Sequence, residues 1–366
     1  MKIEFEKKFV PDSEAQRLAD AMGLGINLGN TLDCVSREEH GFQGLDMEMA
    51  WGNPKTTRQM ITAIREGGFK TMRLPVSWHK HVSGTDDRID PAWLDRVREI
   101  VDWCMDEEMF VQLNTHHDVF TNFLEPDDAG YPRAAEYLEN VWSQLADAFK
   151  DVPGDRLLFE PMNEVRVWGA SYEWTPDLNN PDCIRAMENI NRLNEVFVRT
   201  VRRSGGENPG RFLIIPGYAT CTEGVCWDGF KLPDDDVKDR LLVAVHVYSP
   251  AHFTFLLKDG ENLRTFDPDD RKFTDPIDER HEKLYEKFIK NGIPVTLNEF
   301  AVVDKDNDPE RAKCLAYTVA KANSLGIQCC YWDNGRLSLI GDAMAIFDRS
   351  TCRFVKKEML DALLQR

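Results

Sequence analysis

The chain has 366 residues, of which 45 are basic and 63 acidic, giving a formal net charge of −18 at pH 7. A surplus of that size sets up a long-range negative field that repels phosphate backbones, so no nucleic-acid partner is expected. No apolar run approaches the ~18 residues of a membrane span, and the opening MKIEFEKK lacks the apolar stretch of a signal peptide, so no membrane partner is expected.

Taken in order, the chain alternates strand and helix patterns, with no low-complexity linker or charge block to divide it. One domain over residues 1–366 is therefore expected, with residues 1–20 as a lead-in that carries a short helix over 13–21. Residues 23–29 (GLGINLG) read as the first strand. A helix is expected to open at Asn53-Pro54 with Thr56 as its cap, and to end at Gly67-Gly68. The second strand spans 70–75 and contains Arg73. Asp90-Pro91 starts a helix, with a cap and a proline at the first position. The third strand spans 109–114 and runs into Thr115-His116-His117-Asp118.

A helix over 134–150 leads to the fourth strand, whose apolar run ends in Glu160-Pro161-Met162-Asn163-Glu164. After a loop bearing Trp168 and Trp174, a long helix spans 181–203. The fifth strand covers 212–216 and the sixth 241–246, the latter running into Val247-Tyr248-Ser249-Pro250. A loop of roughly twenty-five residues follows, of the kind that forms lids or cleft walls. A helix over 276–290 precedes the seventh strand, which carries Glu299. A helix over 310–325 precedes the eighth strand at 327–332, and a terminal helix covers 356–364. Eight strands alternating with about eight helices predict a single α/β domain, a (β/α)8 TIM barrel with its site at the carboxyl ends of the strands. A doubly wound sheet is the alternative, but Gly23, Gly25 and Gly29 lack the spacing of a phosphate-binding turn.

The nine cysteines are scattered, with none in a metal-type C-x-x-C pair, and read as mostly reduced and structural. Cys221 and Cys226 are expected to be the most exposed.

Nearly every predicted strand delivers a polar or aromatic group at its carboxyl end: Asn27 and Asn30, Arg73, His116 and His117, Asn163 and Glu164, His246 and Tyr248, Glu299, Trp332. Packing alone does not ask for this, because a strand core needs no His, Arg or Glu. Arg73 inside a strand requires a nearby carboxylate, since a buried unpaired guanidinium is very costly. His116-His117 without further ligands is weak evidence for metal, so no metal and no cofactor are expected; sugar contact suits the pair better. Glu164 and Glu299, on separate strand ends, are the two carboxylates that glycoside hydrolysis uses.

The motifs Asn27–Asp33 (NLGNTLD), WGNP at 51–54, RLPVSW at 73–78, HHD at 116–118, Asn163-Glu164, HVYSP at 246–250, NEF at 298–300 and WDNG at 332–335 resemble glycoside hydrolase family 5, most closely its subfamily 4 of endo-β-1,4-glucanases and xyloglucanases. The resemblance implies a retaining endo-β-1,4-glucanase of cellulase type, acting on β-glucan, without metal. It implies Glu164 as acid/base and Glu299 as nucleophile. Arg73, Asn163, His246 and Tyr248 would support them. Asn30, His116, His117, Trp168 and Trp332 would bind substrate. Three departures touch cleft geometry: Asn298 where the subfamily often has Gly, Pro161 and Val165 flanking Asn163-Glu164, and Val119-Phe120 after the His-His-Asp motif. Endo-β-mannanase on the same pair of carboxylates, a transglycosylase and a non-catalytic glycan-binding barrel are the alternatives. A monomer is expected, and the resemblance favours a secreted protein.

Overall fold

Eight parallel strands close into a barrel in the computed structural model, which describes residues 3–36, 41–121, 123–255, 263–338 and 341–366. They are β1 (Leu24–Leu28), β2 (Thr71–Leu74), β3 (Phe110–Asn114), β4 (Leu157–Glu160), β5 (Leu213–Cys221), β6 (Leu241–His246), β7 (Val295–Phe300) and β8 (Gln328–Asp333). Chain neighbours pair all the way round, and β8 closes on β1 with Asn27 beside Trp332. Closure excludes the doubly wound sheet. Residues 256–262, within the long loop predicted after the sixth strand, lie outside the described residues.

Successive side chains on a strand point to opposite faces, and here they separate into two cores. One set, including Ile26, Met72, Val111, Leu113, Phe159, Ile215, Val243 and Leu297, packs in a single large cluster with the surrounding helices. The other set is small: Leu158, Ile214, Leu242 and Ala244 meet Ala15, Leu18, Ala19 and Met22. Those last four belong to helix α1 (Glu14–Met22), which stoppers the amino end of the barrel. Ser13 caps α1, accepting from the Gln16 amide at 3.1 Å. Above this plug Gln112 and Thr296 both reach the side-chain oxygen of Gln328, a polar layer across the interior.

Most predicted elements lie within a few residues of their expected places, and the exceptions have local causes. Helix α2 (Arg58–Glu66) is capped by Thr57, whose hydroxyl accepts from the Met60 amide at 3.4 Å. Thr56 is drawn elsewhere: its amide donates to Glu48 at 2.7 Å, and its carbonyl accepts from Arg96, which is paired with the same Glu48. A later helix runs over Arg271–Lys287, starting ahead of Pro276 because Asp270 caps it through the Lys272 amide at 3.0 Å. Pro276 sits inside that helix and removes one backbone bond from it. Two ribbons, Val82–Ser83 with Arg88–Ile89 and Phe347–Asp348 with Arg353–Phe354, are too short to show a strand period in sequence.

Candidate active site

The carboxyl end of the barrel is organised by Arg73, which is fully buried on β2. Its guanidinium grips Glu160 at the end of β4 in two bonds, Nε to Oε2 at 2.9 Å and Nη2 to Oε1 at 2.8 Å. Nη2 also donates to Asn163 Oδ1 at 2.8 Å, and Nη1 to Asn27 Oδ1 at 2.9 Å. Nη1 makes a further short bond to Glu299 Oε1. Arg73 has the carboxylate partner that the sequence argument required, and in fact has two. Burial opposes its charge, but Glu160 and Glu299 outweigh burial and raise its pKa.

Glu299 is 4% exposed at the end of β7. Its second oxygen accepts from the Tyr248 hydroxyl at 3.0 Å. Burial and the charges of Glu299 and Glu164 push Tyr248 far above its ordinary pKa, so its hydroxyl remains a donor. Glu164 stands opposite, just beyond β4, with a left-handed backbone at φ 47°. Its amide donates to Thr220 Oγ1 at 2.9 Å, and its carbonyl accepts from Arg166 at 2.8 Å, so the peptide is held on both sides. His246 lies between the two carboxylates, with Nδ1 2.8 Å from Glu164 and 3.5 Å from Glu299. One oxygen of each carboxylate and a nitrogen of His246 all lie within 4.8 Å of one another.

Carboxyls this close titrate as a pair. Burial raises both. At Glu164 the hydrogen bond and charge of His246 bring the carboxyl below its ordinary value. At Glu299 burial outweighs His246 and Arg73, and the carboxyl sits above its ordinary value. Taken alone this ordering would put the shared proton on Glu299, the reverse of an acid/base Glu164. The direct donors argue the other way: Arg73 and Tyr248 each donate to one oxygen of Glu299 and favour its ionised form.

A cavity of about 470 Å³ opens above this pair, lined by His116, His117, Asn163, Glu164, Trp174, Ala219, Cys221, His246, Tyr248, Ala251, Phe255, Glu299 and Trp332. Trp332 and His116 lie parallel within 4° at 5.6 Å between ring centres. Asn114 fixes His116, with Nδ2 3.0 Å from the ring Nδ1 while its Oδ1 accepts from the Val76 amide. An amide nitrogen donates, so His116 carries its proton on Nε2. Burial pushes His116 well below its ordinary pKa and brings His117 down to about 4.

Two residues expected to bind substrate lie outside this cavity's lining. Asn30 is outside the cavity lining; it turns the loop after β1 with φ 57°, donating its amide to Asp33 at 3.1 Å and its carbonyl accepting from Asn53. Trp168 is also outside the lining, 55% exposed and packed on Arg166, whereas Trp174 from the same loop lines the cavity. Cys221 and Cys226 are half-buried, as is Cys352, and all nine cysteines are free. Glu160 and Asn114 escaped the sequence argument. Glu160 was findable: it ends an apolar strand two residues after Leu158, so both share a face that points into the barrel.

Among the described residues two groups offer metal-type ligands, Asp33 with His116 and His117, and Glu164 with His246 and Glu299. In the first, both Asp33 oxygens already accept backbone amides, from Asn30 at 3.1 Å and Thr31 at 2.7 Å, and His116 presents a protonated Nε2. In the second, each member is engaged in the hydrogen bonds just described.

A parallel barrel with two facing carboxylates and an aromatic wall at its carboxyl end has the architecture of a glycosidase. The family model for cellulase (glycosyl hydrolase family 5) matches residues 35–338. Endoglucanase A of Clostridium longisporum is 33% identical over 353 residues, covering 96% of this chain; the chain spans 65% of that enzyme's length. A GH5 lichenase structure from Caldicellulosiruptor sp. F32 superposes with a TM-score of 0.97 at 38% identity, covering 100% of this chain and 99% of that one. A GH5-4 broad specificity endoglucanase from Ruminococcus champanellensis, with bound cellotriose, superposes with a TM-score of 0.88 at 33% identity, covering 98% of this chain and 100% of that one. The chain belongs to glycoside hydrolase family 5.

Proposed function

We infer that this chain is an endo-acting β-1,4-glucan hydrolase that works with retention, through a covalent glycosyl-enzyme. The facing Glu164 and Glu299, with oxygens within 4.8 Å, carry that reading. Retaining pairs stand about 5–5.5 Å apart, whereas inverting pairs need about 6.5–9.5 Å to admit a water.

Glu299 attacks the anomeric carbon. Arg73 and Tyr248 aim one oxygen each and favour the ionised form. Glu164 gives its proton to the departing glycosidic oxygen. Glycosylation of Glu299 then removes the neighbouring negative charge, and Glu164, now a carboxylate, takes a proton from the attacking water. Asn163 spends its carbonyl oxygen on Arg73, which leaves its amide to donate to a sugar hydroxyl beside the reacting carbon. Trp332, backed by parallel His116, offers an apolar face to a pyranose ring. The chain acts as a monomer on mixed-linkage β-glucan and xyloglucan as well as on cellulose chains. The related lichenase and broad-specificity endoglucanase support that breadth.

The test is reducing-end release from mixed-linkage β-glucan, carboxymethylcellulose, xyloglucan and mannan, with folded Glu299→Ala as control. Release from the glucans that the variant abolishes is the expected result. Release from mannan alone would overturn the specificity, and no release from any of them would overturn the activity.

A further inference from the structure

One charged group close to the pair has no part in the mechanism above. Arg166 follows Glu164 by two residues and is 2% exposed. Its guanidinium lies 3.7 Å from the ring centre of Trp174 and 5.0 Å from that of Trp168. Its Nη1 donates to the backbone carbonyl of Glu164 at 2.8 Å, and its Nε to Glu173 at 3.1 Å. Glu173 reaches back to the Gly169 amide at 3.1 Å, closing the loop that carries both tryptophans. Trp174 is 54% exposed and lines the cavity.

We propose that Arg166 is a positioning residue that ties the leaving-group wall, Trp174, to the seat of the Glu164 carboxyl. The proposal rests on Glu164 being the acid/base. A planar guanidinium can stack on an indole and donate in its own plane at once, which an ammonium cannot do. The geometry uses both. The stacked face supports Trp174 from beneath, and an edge holds the carbonyl of a residue in a left-handed conformation. Glu164 makes no regular strand pairing there, so its peptide is set by Thr220 on one side and Arg166 on the other. Glu173 pairs with Arg166 at 3.1 Å and offsets part of its charge, although Arg166 still acts to lower the pKa of the Glu164 carboxyl. A sugar pressed on Trp174 thus bears on the same group that fixes the proton donor. Occupancy of the leaving-group side and the aim of Glu164 become one event.

The consequence is a dependence on the leaving group. Cleavage of a cello-oligosaccharide needs both a proton for its sugar leaving group and the Trp174 wall. Cleavage of dinitrophenyl cellobioside needs neither, because the phenolate leaves unprotonated. Arg166→Lys keeps the charge and loses the planar stack. The expected result is a fall in kcat on cellotetraose of about tenfold or more, as for small misplacements of a catalytic group, with less than about twofold change on the dinitrophenyl substrate in single-turnover glycosylation. Trp174→Ala alone and with Arg166→Lys completes a cycle in which the double variant loses no more than the worse single variant. Equal losses on both substrates, unchanged cellotetraose cleavage or additive losses would overturn the proposal. Glu164→Gln is run alongside; if it fails to show the same leaving-group dependence, the acid/base assignment has failed rather than the clamp.

Discussion

The two ends of the barrel are built from the same eight strands and obey different rules. At the amino end Leu158, Ile214, Leu242 and Ala244 meet Ala15, Leu18, Ala19 and Met22 of α1 in an apolar plug. At the carboxyl end, two residues further along the same strand, Glu160 is buried against Arg73, and that guanidinium also reaches Glu299, Asn163 and Asn27. The lower plug is stabilised by removing apolar surface from water and tolerates any shape that fills the space. The upper cluster gains little net stability from its charges, because desolvation offsets much of their attraction. What the charges provide is position: one fork of donors fixes two carboxylates and two side-chain amides at the floor of the barrel's carboxyl end.

Substitutions that act on one end and spare the other would sharpen this contrast. The largest effect is expected from Arg73→Met, which leaves Glu160 and Glu299 buried without their cation. It should lower stability by about 3–5 kcal/mol and abolish activity in whatever remains folded, as read by urea unfolding alongside glucan hydrolysis. Leu158→Ala should cost about 2–5 kcal/mol and shift the urea midpoint, while kcat per folded molecule stays within about twofold, because the change is confined to the plug. A matching loss of kcat would show that the two ends are not separable. Tyr248→Phe is the mildest. Its hydroxyl stabilises the ionised form of Glu299, whose pKa already lies above the ordinary value. Removing that donor raises the pKa further. Because Glu299 attacks only when ionised, the acid limb of kcat/KM should move to higher pH, with the alkaline limb nearly fixed; a shift to lower pH would contradict the assignment.

The same contrast explains what the sequence disclosed. The strands were legible because Leu157–Glu160 and Val295–Phe300 are short apolar runs that end abruptly in polar groups, and the barrel followed from their alternation with helices. Most of the residues around the cavity were legible for the same reason, each standing at a strand end. Glu160 was passed over because its partner is far away in the chain, 87 residues from Arg73. A carboxylate within a strand announces a charge but not the cation that makes it tolerable. Asn30 and Trp168 were placed at the substrate by motif and loop alone. In the structure both stand outside the lining of the cavity: Asp33 and Asn53 engage the first, and Arg166 underlies the second while Trp174 takes the cavity wall. The order of protonation, with Glu164 as the acid/base, was expected from the sequence; the contacts that favour an ionised Glu299, from Arg73 and the Tyr248 hydroxyl, needed the structure.

The account stands or falls on which carboxylate bonds to sugar. The direct measurement is inactivation with an activated 2-deoxy-2-fluoro-cellobioside, which traps a glycosyl-enzyme in retaining glycosidases, followed by peptide mapping by mass spectrometry. The expected outcome is one fluoroglycosyl group, on the peptide carrying Glu299, with its fragment ions placing the mass on that residue. A label on Glu164 or Glu160, or steady inactivation with no covalent adduct, would contradict it.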